Sequence, residues 1–277
     1  MKRLITSILI LLPFVCGAKD IIVFDSENLH TTDTVLVFSP SAEKSLPTLF
    51  LLHGYSGNYS DWSKNMDLQE VADRTGWRII TPDGFYSSWY FDQAGEGTMQ
   101  WRKFFWKELY PAIADSYGLD PDKTFIDGLS MGGHGAMNIF LDRPDLFRGA
   151  GSMSGVLDLR SSGGALDMIP GLLGVKDIND PVCTAQSAVN RVGRIKEVCG
   201  KEKAGKKLLV ISCGVLDTRF VPTAYAMAEK CDEEGIRNVL IISPARHRWP
   251  YWIWILNYHI SLFSDELDLS PGLYPGK

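Results

Sequence analysis

Short apolar runs rich in β-branched and aromatic residues recur along the chain at 21–24, 34–38, 48–52, 78–81, 124–126, 151–153, 208–212 and 239–243. Each has the length and composition of a buried strand. Segments with apolar positions at helical spacing separate the later runs, at 61–74, 101–117, 131–141 and 223–234, and another, 249–263, follows the last run. Strands alternating with helices of this length predict an α/β fold with a mostly parallel central sheet and helices on both faces. Nothing helical separates the first two runs, so they should pair as an antiparallel edge. In such sheets reactive groups gather beyond the C-terminal ends of the strands.

The N-terminus departs from this pattern. Lys2 and Arg3 lead into the apolar stretch 4–15 and then Cys16, Gly17 and Ala18, the outline of a secretory signal peptide cut after Ala18. The stretch is too short for a comfortable membrane span. A lipid on Cys16 fits poorly behind bulky Phe14 and Val15, and an uncleaved anchor is the other alternative. Residues 1–18 are thus expected to leave, and 19–277 to form a single domain in the secreted or periplasmic space. Losing Lys2 and Arg3 takes the formal charge from −5 to −7, which argues against a nucleic-acid partner. The pattern sets no oligomeric state, and no membrane contact is expected after cleavage.

With 45% hydrophobic residues, no internal repeat and no low-complexity tract, the mature length suits one large core. Its cysteines are Cys183, Cys199, Cys213 and Cys231. Export would permit a Cys183–Cys199 disulfide, with buried free thiols as the alternative, especially at Cys213. No CxxC pair or zinc-like His/Cys spacing occurs, so neither a metal nor another cofactor is expected.

The chemistry centres on Gly128-Leu129-Ser130-Met131-Gly132, directly after the strand run 124–126 and before a helix that opens with small residues. Glycines two positions either side let a serine sit on a sharp strand-to-helix turn with its Oγ lifted from the sheet, the form of a nucleophile elbow. Such a serine needs a base, and the base needs an orienting carboxylate. Only His134, His247 and His259 follow it. His134 falls inside the elbow helix and His259 inside the apolar C-terminal helix, so both are expected to be structural. His247 lies in the loop after the last strand. Asp217 is the first carboxylate after the preceding strand, 30 residues before His247, which fits one helix plus one strand. Its alternative is a helix cap. The developing oxyanion should meet the N–H of Met131 and that of Tyr55, with Gly54 beside it in the turn after strand 48–52. His53 is expected to fix that turn.

His53-Gly54-Tyr55-Ser56-Gly57-Asn58-Tyr59 with Asp61-Trp62, then Thr81-Pro82-Asp83-Gly84, then Ser130 through Ala136 together resemble the esterase D family. That family includes S-formylglutathione hydrolases, feruloyl and acetyl esterases and, more distantly, mycolyltransferases. The resemblance runs on through Arg143-Pro144-Asp145-Leu146-Phe147 and Ser152-Met153-Ser154-Gly155, covering nearly the whole mature chain. It implies an α/β-hydrolase fold, a cofactor-free serine mechanism and the same trio, Ser130, Asp217 and His247.

One departure stands out. Where the family usually has a glycine shortly before the histidine, this chain has Ala245 and Arg246, and Arg248 follows, which points either to weaker activity or to a bias toward anionic substrates. The segment 85–92 and the region after His247 are rich in rings, among them Trp89, Tyr90, Trp249 and Trp252, which can stack on sugars or phenolic acyl groups or simply pack the core. The reading is a serine carboxylesterase acting on a small-molecule or polysaccharide-linked ester, acetyl or feruloyl. Its alternatives are an acyltransferase to a sugar hydroxyl and a catalytically weak carbohydrate-binding protein. The cytosolic role of S-formylglutathione hydrolysis fits an exported chain badly.

Overall fold

A computed structural model describes residues 19–160 and 166–269; the expected signal peptide lies outside the described residues. All eight apolar runs are strands of one sheet: β1 (Asp20–Ser26), β2 (Thr31–Phe38), β3 (Thr48–Leu52), β4 (Arg78–Thr81), β5 (Thr124–Gly128), β6 (Gly149–Met153), β7 (Leu208–Gly214) and β8 (Asn238–Ser243). Their order is β1-β2-β4-β3-β5-β6-β7-β8. β2 runs antiparallel to both β1 and β4, and every pair from β4 to β8 is parallel. The antiparallel edge expected from the missing helix is therefore present.

The helices are α1 (Asp61–Asn65), α2 (Leu68–Thr75), α3 (Trp101–Phe104), α4 (Tyr110–Tyr117), α5 (Met131–Asp142), α6 (Met168–Leu172), α7 (Pro181–Gln186), α8 (Arg194–Ala204), α9 (Val221–Glu233) and α10 (Trp249–Asp265). Alternate residues of the central strands feed two cores. Phe50 and Leu52 join Met137, Phe140 and Ala224 on the α5 and α9 face, whereas Leu49 and Leu51 join Val71, Ile255 and Phe263 on the α2 and α10 face. Among the described residues no helix is long and apolar enough to cross a membrane.

Two expected helices are not continuous. Between α1 and α2, the Asp67 carboxylate accepts the N–H groups of Gln69 and Glu70 and starts a new helix. Between α3 and α4, residues Phe105–Leu109 widen into a π turn. Pro111 follows at once; it has no N–H to donate back and its ring needs room, which the wider turn supplies. The segment between β6 and β7 holds α6, α7 and α8, which the apolar pattern does not mark. The proposed Cys183–Cys199 bridge is absent: all four described cysteines are free, Cys183 buried in α7 and Cys199 half-buried in α8.

The turn from β5 into α5 brings backbone close against backbone. A Cβ on Gly128 would sit 2.4 Å from the backbone of Gly132, and one on Gly132 would sit 2.5 Å from the carbonyl oxygens of Leu52 and His53. Backbone cannot yield as a side-chain tip can. Replacing Gly132 by alanine is expected to cost about 3 kcal/mol, the upper end for overpacking, read as a lower urea midpoint.

Candidate active site

Ser130 occupies that turn with φ +53° and ψ −116°, a backbone shape costing an L-residue about 1–3 kcal/mol. Hydrogen bonds hold it there. Its N–H donates to the Met153 carbonyl at 2.9 Å, and the Leu129 N–H donates to Leu52 at 3.2 Å, so β6 and β3 both grip the elbow. The result places the Oγ at the C-terminal rim of the sheet while the residue stays 8% exposed.

The loops after β7 and β8 bring the other two predicted residues to it. The His247 Nε2 lies 2.9 Å from the Ser130 Oγ, and its Nδ1 lies 2.6 Å from the Asp217 Oδ2. Asp217 is buried and the His247 side chain is 30% exposed, so the carboxylate faces protein and the imidazole faces both serine and solvent. The two loops are laced together: the N–H of Leu216 donates to Ala245 and that of Val215 to Ser243. The His247 ring is clamped by Phe220 at 4.9 Å and, edge-on, by Trp252 at 4.8 Å. Such a chain can deprotonate the hydroxyl and hold the resulting imidazolium.

The turn after β3 closes over the elbow. Gly54 packs so near that a Cβ would meet the Leu129 side chain and reach within 3.6 Å of the Ser130 Cβ. Among the described residues the N–H groups of Met131 and Tyr55 have no hydrogen-bond acceptor. His53 pins this turn as expected: its Nε2 accepts the Gly84 N–H at 2.7 Å and its Nδ1 donates to the Gly54 carbonyl at 2.8 Å.

The rings divide differently from expectation. Trp89 and Tyr90 are buried, not open walls of a pocket. Tyr90 packs edge-on against Trp101 at 4.6 Å and donates its hydroxyl to the His53 carbonyl, while Trp89 packs on His134. Their large apolar area was claimed by the core. The ring of that segment left outside is Tyr86, paired edge-to-face with the exposed Tyr55 at 5.0 Å. Trp252 backs the imidazole, and Trp249 lies behind it against Trp62.

A second chain of the same three residue types lies beneath the site. The His259 Nδ1 is 2.6 Å from Asp127 and its Nε2 is 2.9 Å from the Ser212 Oγ, with all three residues buried. It joins α10 to the ends of β5 and β7, one residue before the elbow glycine and five before Asp217. Pattern alone marks His259 as structural, and it names neither partner.

The family model described as "Putative esterase" matches residues 26–259. The chain belongs to the esterase family. The esterase is 32% identical over 262 residues to a diacylglycerol acyltransferase/mycolyltransferase Ag85A of Mycobacterium leprae (strain TN), covering 82% of this chain and 77% of that one. An acetyl esterase of Caldicellulosiruptor saccharolyticus is 27% identical over 221 residues, covering 76% and 80%. A solved ferulic acid esterase shares the α/β-hydrolase fold at a TM-score of 0.72 and 21% identity, over 90% of this chain and 98% of that one. The protein is an enzyme, a serine carboxylic ester hydrolase.

His134, inside the esterase's elbow helix, contributes to stability. It is fully buried, and burial pushes its imidazole from 6.5 down to about 3. The unfolded chain therefore binds a proton that the folded chain refuses, so this contribution is complete above about pH 6.5 and is lost as pH falls toward 3. Thermal melts of His134→Gln are expected to fall less steeply than wild type between pH 6.5 and 4; parallel curves would refute this assignment.

Proposed function

We propose that this esterase cleaves acyl esters of carbohydrates through an acyl-enzyme on Ser130. The observation that carries the proposal is the Asp217–His247–Ser130 chain, 2.6 and 2.9 Å between successive atoms, on an elbow held in a strained shape. His247 takes the serine proton as Oγ attacks the carbonyl carbon, and Asp217 holds the imidazolium through Nδ1–H. The amides of Met131 and Tyr55 receive the oxyanion, a contribution of several kcal/mol where such donors are preorganised. His247 then gives its proton to the leaving alcohol, and water, activated by the same ring, releases the acid.

Acetyl is the acyl group favoured by a sequence relative, the acetyl esterase. Feruloyl is supported by fold likeness and by the exposed Tyr55–Tyr86 pair, against which a phenolic ring could stack. A polysaccharide-linked ester suits an exported enzyme, and the supports for export are the basic start and the apolar stretch 4–15. A second reading, transfer of the acyl group to a sugar hydroxyl, is favoured by the 32% identity to the mycobacterial acyltransferase. Mass analysis of products formed with added carbohydrate separates it from hydrolysis.

Ser130→Ala is expected to lower kcat on an aryl acetate by about 10⁵–10⁶-fold while leaving the melting curve intact. Asp217→Asn should lower it about 10⁴-fold with little change in KM. Near-wild-type turnover by either variant would sink the mechanism. N-terminal sequencing of the exported protein should begin at Lys19.

A further inference from the structure

Twelve arginines lie among the described residues, and nine of them have a partner. Arg102, Arg143, Arg148, Arg160, Arg191, Arg194 and Arg237 pair with carboxylates, Arg74 bonds Asn257, and Arg78 bonds Ser39 and two carbonyls. The remaining three are Arg219, Arg246 and Arg248, whose side chains have no hydrogen-bond or ion-pair partner among the described residues. All three line one cleft of about 350 Å³, and His247 and Phe220 form part of the same wall. The chain carries a net charge of −5, so carboxylates are not scarce. Exposed unpaired cations are common singly; three on the rim of one cleft, against the base, are a concentrated positive field.

The position of the cleft decides which part of a substrate would meet it. His247 delivers its proton to the leaving oxygen, so the alcohol half of the ester must lie against the His247 wall, while the carbonyl oxygen turns to Met131 and Tyr55. Arg219 is 5.9 Å from the centre of the Phe220 ring, and that ring is 4.9 Å from the imidazole, so the cation stands one ring away from the base. Three like charges also oppose the imidazolium formed during reaction. A negative group seated among them would offset that repulsion, and planar guanidinium forks match a carboxylate.

We propose that the alcohol released by this enzyme is an acidic sugar unit whose carboxylate is held by Arg219, Arg246 and Arg248. This rests on the esterase reading above and adds a substrate class to it. The cleft has room for a single sugar ring, at the lower end of small-molecule sites.

The test compares wild-type kcat/KM for an O-acetyl hexuronate with that for the corresponding neutral O-acetyl hexose. The acid is expected to be preferred by about tenfold or more, the preference shrinking in 0.5 M salt. In Arg219→Gln and in the double variant Arg246→Gln with Arg248→Gln, the acid-to-neutral ratio should fall toward one; because each variant serves as its own control, a general loss of activity does not mimic the effect. A ratio near one in wild type, or one that survives both variants, overturns the proposal. A neutral sugar bearing a succinyl ester, if preferred over the acetyl hexuronate, overturns the placement on the alcohol side. Turnover of an aryl acetate distinguishes the two levels: with it intact, a ratio of one removes only this inference, whereas its absence removes the esterase reading and this inference together.

Discussion

The close approach of backbone at the β5–α5 turn is the constraint on which the rest of the molecule depends. A serine can project from the sheet rim only if the chain reverses within two residues, and that reversal brings Gly128 against Gly132 and Gly132 against the carbonyls of Leu52 and His53. The strained φ of Ser130 is sustained because three strands over-determine it: β5 delivers it, β6 accepts its N–H, and β3 accepts that of Leu129 just before it. Those same bonds bring the turn after β3 over Ser130, so one local geometry positions both the serine and the loop at Gly54.

The two Ser–His–Asp chains differ in environment, one open to solvent and one sealed in the core. Both have bonds of 2.6 and 2.9 Å, so distances alone do not tell them apart. The difference lies in access and backbone. Ser130 sits on a strained turn with an imidazole open to solvent, whereas Ser212 is an ordinary strand residue and His259 is sealed within α10. The buried chain ties the end of β5, the end of β7 and α10 together, so the elements next to Ser130, Asp217 and His247 share one tether.

The sheet and the three side chains of the proposed catalytic chain were legible in the sequence because each leaves a local mark. Buried parallel strands are short apolar runs; the elbow is a glycine pattern; Asp217 and His247 follow strands at the spacing one helix and one strand impose. What escaped depends on distant neighbours. The helices α6 to α8 are short and weakly patterned, and the split of the first helix turns on a single cap at Asp67. Trp89 and Tyr90 were indistinguishable from Tyr86 until the core claimed them. Arg246 and Arg248 announce themselves beside the histidine, but nothing local says that Arg219 joins the same cleft.

The unbonded cysteines have a consequence for where such a fold can persist. Burial pushes the thiols of Cys213 and Cys231 up to about 12, so at neutral pH they are protonated and poor partners for exchange. With no cross-link among the described residues, cohesion comes from packing, hydrogen bonding and ion pairs. A shift between oxidising and reducing surroundings would leave the covalent skeleton around the reaction centre unaltered.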